Sequence, residues 1–516
     1  MKKLYVALAA LVFLFLVTRT VKLSLIPPSV YWDEASIGYN AYSILKTGAD
    51  ETGERLPVHF RAFGEYKLPV YIYSVVPFIK LLGLNEISVR LPAVLFSLGS
   101  LLLIYLIGTR ISKKPGVGVL AAFYFTVSPW LFIFSRTGYE ATAGVMFYLL
   151  SIYLFLISLS RGYFLIPSLI SLGLSFYSYN AFRILAPILL IVMLISFIVS
   201  HKERLAKSLG ILFVSVLLFA SMLVPAINFI RSGSITDRLD AVAIKGANLR
   251  KWEIALEVGK NYLSHFSKDF LFTKGDVISR SQQPGFGQLV IFDALLLPLG
   301  IYFLLKKEKK IGAFFVFLLA ISFIPASITR EAPHALRSIA AVPFISLVFA
   351  YGVYFVLEKV RRNKGILTAA IILLYLGAFE IYLDNFFNNY VKATAQDWQY
   401  GYKIVFQNYE DQFGNYDNVL VSDRGIQPYI FGLFYLKYDP SAFRREVEYN
   451  PPPRVVTSQV RRFGKFTLRD IDYYQLPRGK SLIFSHPTDR MTELTPREII
   501  NYPNGDIAFY VYEYKK

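Results

Sequence analysis

Apolar residues in this chain come in long unbroken blocks, not in the short alternations of a soluble core. At the roughly 20 residues that an apolar helix needs to cross a bilayer, they predict about eleven spanning helices, near 4–26, 87–109, 117–135, 140–159, 163–181, 184–200, 208–229, 288–305, 311–328, 338–358 and 365–386. Most of the separating turns are short. Two are long, 27–86 and 230–287, and from about 391 onward the blocks stop.

The first block begins after Lys2 and Lys3 and runs from Leu4 to Val17, resuming past Arg19 and Lys22 to Ile26. No small-x-small cleavage site follows, so it reads as an uncleaved span with its N-terminus inside. Basic residues then concentrate in alternate loops, 110–114, 201–207, 306–310 and 359–364, as the positive-inside rule requires of cytoplasmic loops. The turn at 160–162, with Arg161 alone, is the weakest member of that series. The two long loops fall outside, and an odd number of spans exports the C-terminus.

Within loop 27–86, Pro27-Pro28-Ser29 ends the first span and residues 31–46 read as a helix stopped by Gly48. A semi-apolar stretch, 68–82, follows. Both are too short or too polar to span, so amphipathic helices lying along the outer membrane surface are expected. In the tail, 418–423 and 507–512 read as strands, 427–437 as a helix, and Thr495-Pro496 as a helix start. The expected organisation is a membrane domain over 1–390 and a small extracytoplasmic α/β domain over 391–516, roughly 125 residues and near the common domain size.

Composition sharpens this picture in two respects. Charged residues are 18% of the 516 positions and hydrophobic ones 54%, below the roughly 25% charged content of soluble domains. The net charge of +19 would suggest nucleic acid, but the cations sit in pairs such as Lys113-Lys114, Lys306-Lys307 and Arg361-Arg362, and no nucleic-acid motif accompanies them. The absence of cysteine excludes disulfides, thiolate catalysis and Cys-based metal sites.

The spans are nearly free of ionisable residues at mid-depth; Asp293, Glu380 and Asp384 lie toward their outer ends. Proton- and ion-coupled transporters place such groups near the midplane, so this distribution argues for work at the outer surface. Three features stand there. Asp33 and Glu34 follow the first span in Tyr-Trp-Asp-Glu-Ala, where a helix dipole alone would favour acids. Lys67, in Gly-Glu-Tyr-Lys-Leu-Pro, could equally touch lipid phosphate. Glu140 in Ser-Arg-Thr-Gly-Tyr-Glu could pair with Arg136, four residues away.

These segments, with Thr47-Gly48, the run Tyr262-Leu263-Ser264-His265-Phe266, Phe270-Leu271-Phe272, Gly275-Asp276 and Pro333-His334-Ala335-Leu336-Arg337, resemble the GT-C membrane glycosyltransferases. The resemblance is to bacterial relatives of protein O-mannosyltransferases and aminoarabinose transferases, and covers about residues 1–390. Many relatives have Lys-Pro-Pro where this chain has Lys-Leu-Pro. The resemblance implies a polytopic GT-C fold and a sugar donor carried on polyprenyl phosphate, which needs no nucleotide-binding turn. It implies Asp33 as the base accepting the acceptor's hydroxyl proton, Glu34 orienting it or holding the acceptor, and Glu140 as a further acid. Lys67 would neutralise the donor phosphate, with Arg337 the weaker candidate. Tyr66, His265 and His334 are candidate substrate-binding residues, although a histidine in an aromatic loop is more often structural. Some GT-C enzymes use a divalent metal; no metal ligands are assigned here. The acceptor, whether protein, lipid or glycan, is not legible. A flippase for lipid-linked sugars, a lipid-linked oligosaccharide polymerase or ligase, and a non-catalytic scaffold are the competing classes.

Overall fold

The computed structural model describes residues 2–231, 244, 250–450 and 460–516; part of the predicted loop 230–287 lies outside them. Helix α1 (Lys2–Thr20) is followed by α2 (Trp32–Thr47), a hairpin of β1 (Phe60–Ala62) and β2 (Glu65–Lys67), α3 (Pro69–Leu82), α4 (Glu86–Ser112) and α5 (Pro115–Val127). Then come α6 (Pro129–Phe132), α7 (Ala141–Ser158), α8 (Leu165–Phe176), α9 (Asn180–Ser200), α10 (Leu205–Arg231), α11 (Lys251–Ser264), α12 (Asp293–Lys307), α13 (Lys309–Ile321), α14 (Ala341–Lys359) and α15 (Lys364–Asn388).

Among the described residues, eight helices are long and apolar enough to cross a bilayer: α1, α4, α7, α9, most of α10, α13 continued to Ser327, α14 and α15. A ninth candidate, α5 with Pro129–Arg136, is bent by 63°. The bend falls where Ser128 is extended (ψ 122) before Pro129, because proline disfavours a helical residue ahead of it. The two remaining apolar stretches form shorter helices than expected, α8 with 12 residues and α12 with 15. In the second case residues 288–289 are tied to Phe270 and Leu271 by backbone hydrogen bonds, so the helix cannot start before Asp293. Its carboxylate, buried in the helix bundle, accepts from Tyr124 Oη at 2.7 Å and Tyr375 Oη at 2.6 Å.

The chain forms two compact units. The first comprises Met1–Val21 and Ala93–Asn385. Its centre is α14, buried along Ala341–Val353. A Cβ at Gly300 of α12 or Gly352 of α14 would overlap the Val348 or Leu296 carbonyl, so both positions need glycine for the close helix approach common in membrane bundles.

The second unit joins Lys22–Pro92 to Phe386–Lys516. After α16 (Tyr400–Asn408) come β3 (Asn418–Val421), α17 (Pro428–Tyr435), α18 (Pro440–Glu446), β4 (Glu448–Tyr449), β5 (Val460–Phe463), β6 (Phe466–Leu468), β7 (Lys480–Ser485), β8 (Glu498–Asn501) and β9 (Ile507–Lys515). They build a seven-stranded sheet in the order β4-β5-β6-β3-β7-β9-β8, with β3 parallel to β6 and β7. The predicted strand at 418–423, helix at 427–437 and strand at 507–512 are present. The helix predicted after Thr495-Pro496 is not: residues 498–501 form a strand paired antiparallel to β9. Ile499 and Ile500 suit a pleated edge, and pairing with β9 overrides the local start signal.

The loop helix α2 ends at Gly48 in the left-handed conformation (φ 69), its N–H bonded to the Ile44 carbonyl at 2.9 Å, a helix stop that favours glycine. Residues 34–41 are buried without a break, which leaves α2 no broad free face of the kind a surface-lying helix presents. It is held by the C-terminal segment of the same unit. Tyr39 Oη donates to the Tyr438 carbonyl at 3.0 Å, the Trp32 N–H donates to Gln399 Oε1 at 3.1 Å, and the Tyr31 and Trp398 rings meet edge-on at 5.5 Å.

Candidate functional site

Asp33 and Glu34 occupy the first turn of α2, and successive helix positions point to different faces. The structure gives them opposite environments. Glu34 is fully buried, and both of its carboxylate oxygens accept from Arg90, at 3.1 Å from Nε and 3.1 Å from Nη2. Arg90 also donates to the carbonyls of Leu23 (2.8 Å), Pro27 (3.0 Å) and Ser29 (2.5 Å). This guanidinium thereby gathers the chain that leaves the first span, and Glu34 is its counter-ion. Burial and bidentate pairing with Arg90 anchor Glu34 within the unit, next to Asp33 in the first turn of α2.

Asp33 is the accessible member, its side chain 27% exposed. Oδ1 accepts from the Lys67 ammonium, and Oδ2 accepts from the Trp32 indole at 3.2 Å. Lys67 is only 5% exposed and ends β2, where it pairs with Phe60 across the hairpin. The hairpin turn at Phe63 and Gly64 has both residues at positive φ and returns the chain so that Lys67 meets an aspartate 34 positions earlier. Its ammonium lies 5.8 Å over the Phe63 ring, which in turn neighbours Trp32 and Tyr429 at 6.1 Å each. Tyr66 stands beside Lys67 on β2, opposite Arg61. A partly exposed carboxylate beside an aromatic wall can accept a proton, and the cation paired with it can attract an anion.

A buried acid that the sequence did not single out completes this region. Glu51 is 5% exposed; its Oε1 accepts from Tyr429 Oη at 3.1 Å and its Oε2 from Asn40 Nδ2 at 3.2 Å, while its own N–H donates to Asn40 Oδ1. Burial pushes its carboxyl up to about 8, although the Tyr429 and Asn40 hydrogen bonds and the charge of Lys67 pull the other way. The enclosure of Glu51 depends on Tyr429, 378 positions away.

This raised carboxyl makes a pH prediction. Below its ordinary value of 4.5, Glu51 is neutral folded or unfolded and has no effect on the balance. As pH rises toward about 8, only the unfolded chain ionises, and stability falls by about 1.4 kcal/mol per unit. Above that the loss is complete and constant. Glu51→Gln, isosteric with the neutral acid, should therefore lose less thermal stability than the wild type between pH 5 and 8. Melting curves of the two proteins that stay parallel across this range would contradict the assignment.

The remaining candidates lie in the other unit. Glu140 stands at the start of α7. Arg136, its proposed partner, is buried and donates to the carbonyls of Thr18 (2.5 Å) and Val21 (2.8 Å). His265 is fully buried: Nδ1 faces the Asn261 carbonyl at 2.8 Å, and Nε2 accepts from the His334 backbone N–H at 3.2 Å. Burial lowers its pKa, and both ring nitrogens are used as a neutral imidazole would use them. His334 Nδ1 lies 3.3 Å from Asp276 Oδ2, which also accepts the Ala335 N–H at 2.6 Å. These bonds link the segment after α11 to the segment before α14. Arg337 donates to Thr329 Oγ1 (2.8 Å) and pairs with Glu331 (2.9 Å). Among the described residues, no three His, Asp or Glu side chains are grouped to hold a metal ion.

The profile of the dolichyl-phosphate-mannose-protein mannosyltransferase family matches residues 67–227, which begin at Lys67 and include Glu140. No curated protein matches the sequence significantly. Solved structures similar in fold include ArnT from Cupriavidus metallidurans in the apo state (TM-score 0.53, 11% identity, 83% of this chain and 84% of that one). Its complex with undecaprenyl phosphate matches at TM-score 0.51 and 11% identity over 98% of this chain and 97% of that one. The oligosaccharyltransferase of Archaeoglobus fulgidus, in complex with Zn and sulfate, matches at TM-score 0.50 and 13% identity over 83% of this chain. This chain spans 61% of that enzyme's length. The chain shares the fold of these solved structures, a bundle of apolar helices with a C-terminal sheet.

Proposed function

We propose that this chain, built on the GT-C fold, is a glycosyltransferase that moves a sugar from a polyprenyl-phosphate carrier to an acceptor hydroxyl at the outer face of the membrane. The observation that carries the reading is the pairing of a partly exposed Asp33 with a buried Lys67. The family profile and the undecaprenyl phosphate bound by ArnT support a lipid-phosphate donor.

Without donor, Asp33 and Lys67 neutralise each other. A donor phosphate arriving at Lys67 shares its ammonium and frees the carboxylate to act as a base. The acceptor hydroxyl then attacks the anomeric carbon from the side opposite the phosphate. The C–O bond to phosphate breaks, polyprenyl phosphate leaves with the electron pair, and the hydroxyl proton passes to Asp33. Charge growing on the departing oxygen is met by Lys67. Phosphate is a good leaving group, so no general acid is required.

Sealed vesicles test donor and orientation together. Right-side-out vesicles supplied with a polyprenyl-phosphate sugar should transfer it to an added acceptor, and inverted vesicles should not. Efficient transfer from a nucleotide sugar without lipid carrier, or transfer confined to inverted vesicles, would overturn the reading.

A further inference from the structure

We infer that the first unit carries a second anion site, remote in sequence from Asp33 and Lys67, which takes the phosphate of a membrane lipid headgroup in a cavity among the ends of α4, α7, α12 and α13. The cavity is about 570 Å³ and is lined by Arg110, Lys113, Lys307, Lys309 and Lys310, with Glu308 the one acid, above the apolar side chains of Ile111, Leu156, Leu159 and Ile311.

Basic loops are common on cytoplasmic faces, and cations at helix C-termini are favoured by the dipole. That accounts for Arg110, whose Nη2 donates to the Leu156 carbonyl near the end of α7 at 2.9 Å, and for Lys307, which closes α12 and pairs with Glu358 at 3.2 Å. The positive-inside rule places the others on this side as well, but the dipole does not favour where two of them stand. Lys309 and Lys310 are the first residues of α13, where the positive end of the dipole disfavours cations and favours anions. Among the described residues, Lys113, Lys309 and Lys310 have no acidic side chain within ion-pair distance. Three exposed ammonium groups without an acidic partner and a helix N-terminus give this one cavity a positive rim that favours an anion. The apolar residues lining the same cavity, at the ends of apolar helices, suit the acyl root of a lipid better than a free ion. Basic pockets between spanning helices are suited to such headgroups.

Native mass spectrometry of the full chain, purified and then released from nanodiscs of 3:1 phosphatidylcholine and phosphatidylglycerol, tests this. The wild type should retain phosphatidylglycerol selectively, and Lys113→Gln/Lys309→Gln/Lys310→Gln should retain at least about tenfold less, since basic residues near a membrane surface attract anionic headgroups. Reconstitution after purification separates lipid binding from any effect of the lysines on insertion. Leu159→Trp, which fills the cavity and keeps every charge, should lose the lipid as well. Equal retention by the triple variant, retention by Leu159→Trp, or displacement of the lipid by millimolar inorganic phosphate would overturn the proposal; the last would make this a free-phosphate site.

Discussion

Asp33→Asn should leave a folded protein that still binds donor and transfers sugar about 10²–10⁴-fold more slowly, the usual cost of losing a general base. The substitution preserves size and keeps a polar side chain in the first turn of α2, where Tyr31 and not Asp33 holds the N-cap position. If Asp33 only favours the dipole of α2 and balances Lys67, the change costs about 1 kcal/mol for the dipole and more for the buried ammonium left with a neutral partner, and leaves turnover intact. The amide cannot accept the hydroxyl proton, so the catalytic reading separates cleanly from the structural one. It also removes the carboxylate that Lys67 faces, which makes the ammonium more available to a donor phosphate; donor affinity should hold or rise. Lys67→Ala should instead weaken donor binding and turnover together. Steady-state rates with direct donor binding distinguish these outcomes. A folded Asp33→Asn protein with wild-type turnover would return Asp33 to the role of a helix-start residue.

The second large effect is on stability. Arg90→Ala should destabilise the second unit by about 3–5 kcal/mol, the cost of stranding one member of a buried ion pair. Here the stranded group is Glu34, fully buried, and three backbone carbonyls of the segment after the first span lose their donor as well. Activity should fall too, but through displacement of Asp33, the next residue along. Glu34→Leu/Arg90→Met, which removes both charges and keeps apolar volume, should regain part of the stability, since apolar replacement of a buried pair is often neutral. Denaturant or protease sensitivity of the three proteins gives the answer. A stable Arg90→Ala protein would show that the pair does not organise this segment.

The long-range pairings explain what local pattern alone could not supply. Asp33 and Glu34 are equivalent in sequence, two acids at one helix start, and dipole arguments cannot rank them. Arg90 ranks them: it stands 56 positions on, at the beginning of the next span, and takes Glu34 into the interior. Lys67 is recognisable as a candidate from its motif, but its contact with Asp33 depends on the β1–β2 hairpin, whose three-residue strands are too short to leave a clear alternation. Glu51 left no signal, because the groups that enclose it come from α2 and from α17 near the far end of the chain.

What the sequence determined by itself is whatever depends on local composition. Apolar block length alone decides that helices can cross a bilayer, and Gly48 marks a helix stop because of a backbone freedom carried by a single residue, whereas the break at Pro129 interrupts a span expected to be continuous over 117–135. Tertiary structure decided where the pattern is ambiguous or the determinant is distant. It turned residues 498–501 into a strand by offering β9 as a partner, and it shortened α12 by tying residues 288–289 to the loop at 270–271. It also enclosed α2, a helix of mixed polarity, within a unit whose other half begins at Phe386. The physical reason is the same in each case: helix formation and hydrophobic length are properties of neighbours in sequence, whereas strand pairing, charge burial and counter-ion choice are properties of neighbours in space.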